Sequence, residues 1–406
     1  MQLKRSEILI LIVASLGYFV DIYDLILFNF VKKASLIEIG VAESALKATE
    51  MSLMNWQMLG MLIGGIVWGI LGDKFGRLKV LFGSIIIYSL ANLANAHVQD
   101  LTQYSIIRLI AGFGLAGELG AGITLISEVM HKEKRGFGTM IIVTFGALGA
   151  VAGYFISSIF TWQVCYYIGG GMGLALLALR VGTLESSMFN KTKEKSENQG
   201  NFFFLFQSKE RTLRFIYCIL MGIPVWFVVG ILISLSESWF AKGIGLPNGI
   251  SVADATLYCY IGLSVGDLAS GLLSQVLRSR KKVILGYLVA CFVLSAVYLF
   301  VTPYGSVTFF YIICLLLGTA TGYWALFASV AAEQFGTNLR ATVATSVPNF
   351  VRGALIPLTF AFKALEPSMG VLTAACLVGV VAIGGAYWAT TRLKETFGRD
   401  LDFLEK

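Results

Sequence analysis

The feature that most constrains this chain is a recurring one. Runs of about 20 mostly apolar residues, separated by short charged loops, follow one another from end to end. Each is long enough to cross a ~30 Å hydrocarbon core as a helix. Twelve are predicted, at about 8–31, 54–72, 78–97, 101–130, 136–160, 163–182, 212–235, 254–277, 282–301, 306–333, 340–364 and 369–390. Residues are 57% apolar and only 14% charged, where a soluble domain carries about a quarter charged. The first run is too long, and has no small-residue cleavage site, to read as a removable signal peptide.

Lysine and arginine placement predicts orientation. With a cytosolic N-terminus, 24 of the 31 basic residues, Arg180 among them, fall on the inner side. Lys32, Lys33, Lys47, Lys242 and Lys363 fall outside, and Arg108 and Arg352 stay within the membrane. Both termini are therefore expected in the cytosol. The net charge of +7 matches contact with anionic inner-leaflet lipid and calls for no nucleic-acid partner. The six cysteines are singletons without a CxxC pair, and the only histidines are His97 and His131. A metal site or disulfide framework is not expected, and the thiols read as packing residues.

A polar stretch between the sixth and seventh runs divides the chain. The expected organisation is a six-helix bundle over 1–183, a cytosolic linker over 184–211, a second bundle over 212–391 and a tail over 392–406. Within the linker, FFFLF at 202–206 is expected to lie in the headgroup layer. The halves echo one another. Glu128 and Arg135 reappear as Glu333 and Arg340, displaced by 205 positions, and GILGDKFGRLKVL (69–81) reappears as GLLSQVLRSRKKV (271–283), displaced by 202. Two echoes at nearly one displacement argue for duplication, a recurring transporter design with substrate held between the repeats.

GILGDKFGRLKVL resembles the loop signature of the major facilitator superfamily, carried here by Gly69, Asp73, Lys74, Gly76, Arg77 and Lys79. RLIAGFGLAGELGAG, Glu333 with Arg340, and ETFGRDLDFLE (395–405) extend the resemblance along most of the chain. It implies an all-α membrane fold of twelve helices in two pseudo-symmetric bundles. The C-half signature has decayed, with Gln275 for Asp73 and Arg278 for Gly76. FVDIYDLILF with RLIAGFGLAGELG is most similar to the metabolite–proton symporters, carriers of dicarboxylates, betaines and aromatic acids.

Two patterns point elsewhere and fail. Gly112-x-Gly114-x-x-Gly117 spells a dinucleotide fingerprint, but it follows no strand and sits in an apolar run. Its glycines read as close helix contacts. GLSVG (262–266) spells a hydrolase elbow with no strand before it and no histidine near it in the sequence. An enzyme is not expected.

Asp21 and Asp24 sit in GYFVDIYDLILFNFV, where each carboxylate is disfavoured by about 2.5–3.5 kcal/mol on insertion scales. Three residues apart, they share a helix face with Gly17. By helical rise they lie roughly 15 and 10 Å from the outer surface, and Arg108 of the fourth run roughly 10 Å. The resemblance implies that these two spans line a central cavity. The pair and Arg108 are thus expected to form a proton relay, in which loss of the cation raises the affinity of the carboxylate for its proton. A static Asp24–Arg108 pair is the alternative. Glu118, deeper in the same run, either binds substrate, hands protons inward or is static.

In the second half, Arg352 is expected to clamp an anionic substrate group, with Asn349 on its face; the alternative is an internal pair with Asp267. Tyr323, Trp324 and Phe327 are expected as cavity wall or as lipid-facing packing. Asp73, Arg77, Glu128, Arg135, Glu333 and Arg340 form two acid–base groups, which the resemblance implies act as an inner gate; a static scaffold is the alternative. Together these predict a monomeric secondary transporter in a bacterial cytoplasmic membrane, moving a small organic solute by proton-coupled symport and using no cofactor but the proton. Export of a siderophore, metabolite or drug is the alternative within transport. A transport-inactive receptor is disfavoured, because buried charges are kept without a sizeable soluble domain.

Overall fold

The structure, a computed structural model, describes residues 5–120, 122–123, 135–188, 202–246, 249–302, 306–399 and 403–405. A bilayer core offers no water to peptide groups, so each apolar run closes its own hydrogen bonds as helix. The spans are Arg5–Glu38, Leu46–Phe75, Arg77–Asn95, Leu101–Leu115 (the start of the fourth), Arg135–Ile159 and Trp162–Met188 in the first half. The second half has Lys209–Trp226, Val252–Val276, Arg280–Phe300, Val307–Thr321 with Trp324–Glu333, Arg340–Gly353 with Leu355–Met369, and Val371–Arg392. Among the described residues, nine helices are long and apolar enough to cross a membrane. The third is short, and the fourth and eleventh are interrupted. Asp100, Ser251, Ser279 and Ser306 stop fraying at four N-termini by accepting a backbone N–H three residues on.

The duplication persists in the packing. Gly60 of the second span meets the Leu109 carbonyl of the fourth, and Gly262 of the eighth meets the Leu315 carbonyl of the tenth. A methyl group at either glycine would sit 2.0 Å from that oxygen. Gly112 against Gln57 is matched by Gly318 against Cys259. The fourth span breaks at Ala116–Gly117 and the tenth at Gly322–Tyr323, and Gly117 and Gly322 are again 205 residues apart. Even the decayed loop keeps its turn: Gly76 has φ +94°, and Arg278, at the equivalent place, has φ +47°. Gly112, Gly114 and Gly117 all pack against neighbouring helices, on Gln57, Tyr88 and Ser84.

The linker differs from expectation. The sixth helix continues to Met188, past the expected boundary, and residues 189–201 lie outside the described residues. Phe202–Phe206 forms a short helical turn that buries Phe202, Phe204 and Leu205, leaving Phe203 exposed. Phe202 stacks on Phe350 at 6.2 Å between ring centres, and the Arg211 guanidinium lies 3.9 Å from the Phe204 ring centre. These aromatic contacts draw one side of the segment into the bundle, while Phe203 and Phe206 stay exposed on the other.

Candidate functional site

The two halves meet around a small cavity whose wall includes Tyr18, Trp226, Tyr260, Trp324 and Arg352, the remainder being aliphatic. Its one cation is Arg352, which is 1% exposed. Pro348 and the break at Ala354 bracket this stretch of the eleventh span. Asn349, one turn before Arg352, donates to the carbonyls of Ala116 and Thr345 at 2.8 and 2.7 Å and accepts from Arg352 Nη1 at 3.2 Å. It thereby fixes the guanidinium. Nη2 of Arg352 stands 3.8 Å from Asp21 Oδ2, and neither Asp21 oxygen accepts a hydrogen bond. The Trp324 ring centre lies 5.7 Å from the same guanidinium. A flat anion would find here a fork of donors, aromatic walls and a carboxylate that competes for the cation.

The members of the predicted relay are brought near one another without a direct ion pair between Arg108 and the aspartates. Asp21, Asp24 and Arg108 are all buried, but Arg108 makes no ion pair with either aspartate. Its Nη2 donates to Gln57 Oε1 of the second span, and its guanidinium lies 4.3 Å from the Phe28 ring centre. Phe28 stands one turn beyond Asp24, so the cation takes the ring and the amide as partners. Asp24 lies instead over Gly169 of the sixth span, with Asn92 and Arg108 facing it. The cation that Asp21 meets is Arg352, from the other half.

Three further expectations change. Asp267 does not pair with Arg352; its Oδ1 accepts the Ala325 amide at 2.9 Å, capping the helix that restarts after the break in the tenth span. That break turns Tyr323 and Phe327 away from the cavity. Tyr323 donates to the Met221 carbonyl at 2.9 Å, and Phe327 packs on Gly222, so only Trp324 of the three aromatics lines the wall. Arg180, counted above as an inner-surface charge, is buried and forms a two-pronged pair with Glu118. Gly17 leaves room for them, since a methyl group there would lie 2.0 Å from both.

The description "Major Facilitator Superfamily" belongs to a family model that matches residues 14–358. The chain belongs to this superfamily. It is 24% identical over 396 residues to a cis,cis-muconate transport protein of Acinetobacter baylyi, covering 92% of this chain and 90% of that one. The niacin transporter NiaP of the same organism is 32% identical over 163 residues, 39% of this chain and 36% of the relative. The solved proton:xylose symporter XylE superposes with a TM-score of 0.69 at 17% identity, covering 97% of each chain, a likeness of fold. Major facilitator membership makes this an integral multi-pass membrane protein and a transporter, not an enzyme.

The superfamily's gate positions are partly described. Glu333 pairs with Arg280 at the start of the ninth span, and Arg340 is half-buried. The helix restart at Arg280 sets its side chain beside the end of the tenth span. Glu128 lies outside the described residues, as do the side chains of Asp73, Arg77 and Arg135. At the same face, Glu395 accepts hydrogen bonds from the Ser279 hydroxyl and the amides of Arg280 and Lys281. Burial raises its affinity for a proton, but these bonds outweigh burial and hold its carboxyl below the ordinary range. At the opposite face, Lys33 and Glu237 form an ion pair of 2.9 Å, and Asn29 Nδ2 donates to Ser234 Oγ at 2.8 Å. Both contacts join the first span to the seventh, whose wide π-helical turns at Phe227–Ile233 follow Pro224.

Sequence reasoning missed Tyr18, Trp226 and Tyr260. Tyr18, three residues before Asp21, carried the signal of a shared face; nothing in the local sequence marks the other two.

Proposed function

We propose that this protein imports a small organic acid, an unsaturated or aromatic carboxylate, together with a proton across a bacterial cytoplasmic membrane. It works as a monomer by alternating access, with both termini in the cytosol and no cofactor beyond the coupling proton. The observation that carries this reading is the 3.8 Å approach of Asp21 to Arg352 inside an aromatic-walled cavity. Niacin and cis,cis-muconate, named for two relatives, share a carboxylate on a flat unsaturated frame, which suits that cavity.

Coupling follows from competition for one guanidinium. Ionised Asp21 holds Arg352; protonated Asp21 releases it to the substrate carboxylate, with Asn349 fixing the geometry and Trp324 stacking on the substrate. Tyr323 and Phe327 support Trp324 from behind. Asp24, with Arg108 beside it, exchanges the coupling proton with Asp21, and Glu118 passes it inward. One proton entering down 100 mV supplies about 2.3 kcal/mol.

The inner gate comprises Glu333 and Arg340 with Asp73, Arg77, Glu128 and Arg135, joined by Arg280. Partly wet ion pairs stabilise only modestly, so substrate and proton can shift the populations on either side.

The test is thermal unfolding of purified protein with nicotinate, cis,cis-muconate or neutral nicotinamide. A true ligand at 100 times its Kd stabilises by about 2.7 kcal/mol. Stabilisation by a carboxylate, lost in Arg352→Gln and absent for the amide, is expected. Equal response to acid and amide, or none to either acid, overturns the substrate class.

A further inference from the structure

Glycines 169 and 173 of the sixth span lie one turn apart, and neither faces empty space. A methyl group at Gly169 would lie 2.2 Å from Asp24 Oδ1, and one at Gly173 would lie 2.1 Å from Ser89 Oγ and 2.9 Å from the Tyr88 ring. Two turns further along the same helix, Arg180 holds Glu118. One face of the sixth span thus carries Asp24, then Ser89 and Tyr88, then the Glu118–Arg180 pair. By helical rise, Gly169 and Arg180 are about 16 Å apart.

What fills this face is polar and unspent. Tyr88, Ser89, Asn92 and Asn95 of the third span are all fully or almost fully buried. The Tyr88 hydroxyl, the Ser89 hydroxyl and both Asn95 polar atoms have no hydrogen-bond partner in the protein, and the Asn92 side chain is the neighbour that the Asp24 carboxylate faces. Buried polar groups are otherwise nearly always paired, and sites of this kind hold ordered water. Tyr88, Asn92 and Asn95 recur at helical spacing and share one side of their span. Asn92 faces Asp24, while Tyr88 is within electrostatic reach of Glu118, Arg180, Asp24 and Asp21. Arg108 closes the Asp24 end.

We propose that this is a proton path through the interior of the first half, from Asp24 past Asn92, Ser89 and Tyr88 to Glu118, separate from the cavity that carries the substrate. Relay is required because Asp24 and Glu118 meet the sixth span at positions about 16 Å apart along its axis, too far for a single hydrogen-bonded transfer. Each hydroxyl, and each water that these side chains hold, accepts one proton and gives up another. The relay groups therefore end as they began, Asp24 loses a proton and Glu118 gains it. Protonated Glu118 loosens its hold on Arg180, eight residues before the end of the sixth helix at Met188. The inference rests on the proton-coupled import proposed above and assigns the third span to it.

The test uses proteoliposomes and two readings, with radiolabelled nicotinate and cis,cis-muconate as probes. Accumulation driven by a pH gradient needs the path; counterflow exchange without a gradient does not. Tyr88→Phe/Ser89→Ala removes both hydroxyls and keeps the packing. At least a tenfold fall in gradient-driven uptake, with counterflow within about twofold of wild type, is expected. Asn92→Leu, a second route to the same break, is expected to behave alike. Gradient-driven uptake within twofold of wild type in both variants overturns the path and leaves proton-coupled import standing. A parallel fall of both readings in both variants also overturns it, marking a packing role. Wild-type protein that exchanges the probes but ignores the gradient overturns the coupling, and this inference with it. Wild-type protein that exchanges neither probe overturns the substrate class and the path together.

Discussion

Asp21 and Arg352 come from opposite halves of the molecule and meet 3.8 Å apart with almost no exposure to solvent. Neither residue alone explains its place in an apolar helix. Together they form a joint between the bundles. Asp21→Asn keeps the shape and removes the competing charge. Gradient-driven accumulation is expected to be lost while carboxylate exchange persists, and ligand affinity is expected to stop varying with pH. Isotope flux in proteoliposomes, paired with binding titrations at two pH values, checks both parts.

The aromatic neighbours separate by role. Trp324 lines the cavity beside Arg352, whereas Tyr323 donates inward to the Met221 carbonyl. Trp324→Leu is expected to raise KM about fivefold, the loss of one stacking and cation–π contact worth roughly 1 kcal/mol. Tyr323→Phe is expected to leave KM unchanged and to lower stability by about 1 kcal/mol. Initial-rate kinetics and thermal unfolding distinguish the two.

This contrast shows what was legible in the sequence. Apolar run length and the repeated Glu-x6-Arg gave the spans and the duplication, because each is a local property. Helical rise placed Asp21, Arg108 and Arg352 at plausible depths, but depth does not select a partner. Phe28 and Gln57 hold Arg108, and both depend on how the first, second and fourth spans pack. Tyr323 and Phe327 do share a face, both meeting the seventh span at Met221 and Gly222, but spacing alone does not say that this face points away from the cavity. Arg180 looked interfacial only because its partner Glu118 lies on another span.

Gly17 gives a sharp packing test. A methyl group there collides with both members of the Glu118–Arg180 pair, and breaking a buried pair costs about 3–5 kcal/mol. Gly17→Ala is expected to cut the folded yield and lower Tm. Gly171, where a methyl group would meet nothing within 4 Å, is the control: Gly171→Ala is expected to be neutral or to stabilise by about 0.5–1 kcal/mol. Size-exclusion profiles and thermal unfolding of the two variants check the contrast.

Arg278 retains a left-handed turn without the residue that suits it. Its φ of +47° costs a non-glycine residue roughly 1–2 kcal/mol. Arg278→Gly is expected to recover about 1 kcal/mol, less the greater freedom of glycine in the unfolded chain. A rise in Tm with unchanged transport would show that the decayed signature keeps its shape at a cost in strain.

The face opposite the chain ends supplies a pH test. Burial raises the proton affinity of Glu237, but hydrogen bonds from Lys33 and the Val252 amide outweigh it, and the carboxyl is held below its ordinary 4.5. A depressed carboxylate stabilises the contact it makes at pH above 4.5, and that stabilisation is lost as pH falls through the depressed value. Acidifying this face below about 4.5 should therefore weaken the Lys33–Glu237 contact and favour separation of the first and seventh spans. Spin labels at Ile37 and Lys242 are expected to report longer distances at low pH. In Glu237→Gln the longer distances should already be present at neutral pH and should no longer respond to acid. Distances unchanged between neutral and acid pH in the parent protein would assign the closed face to the Asn29–Ser234 and Lys32–Ser234 hydrogen bonds instead.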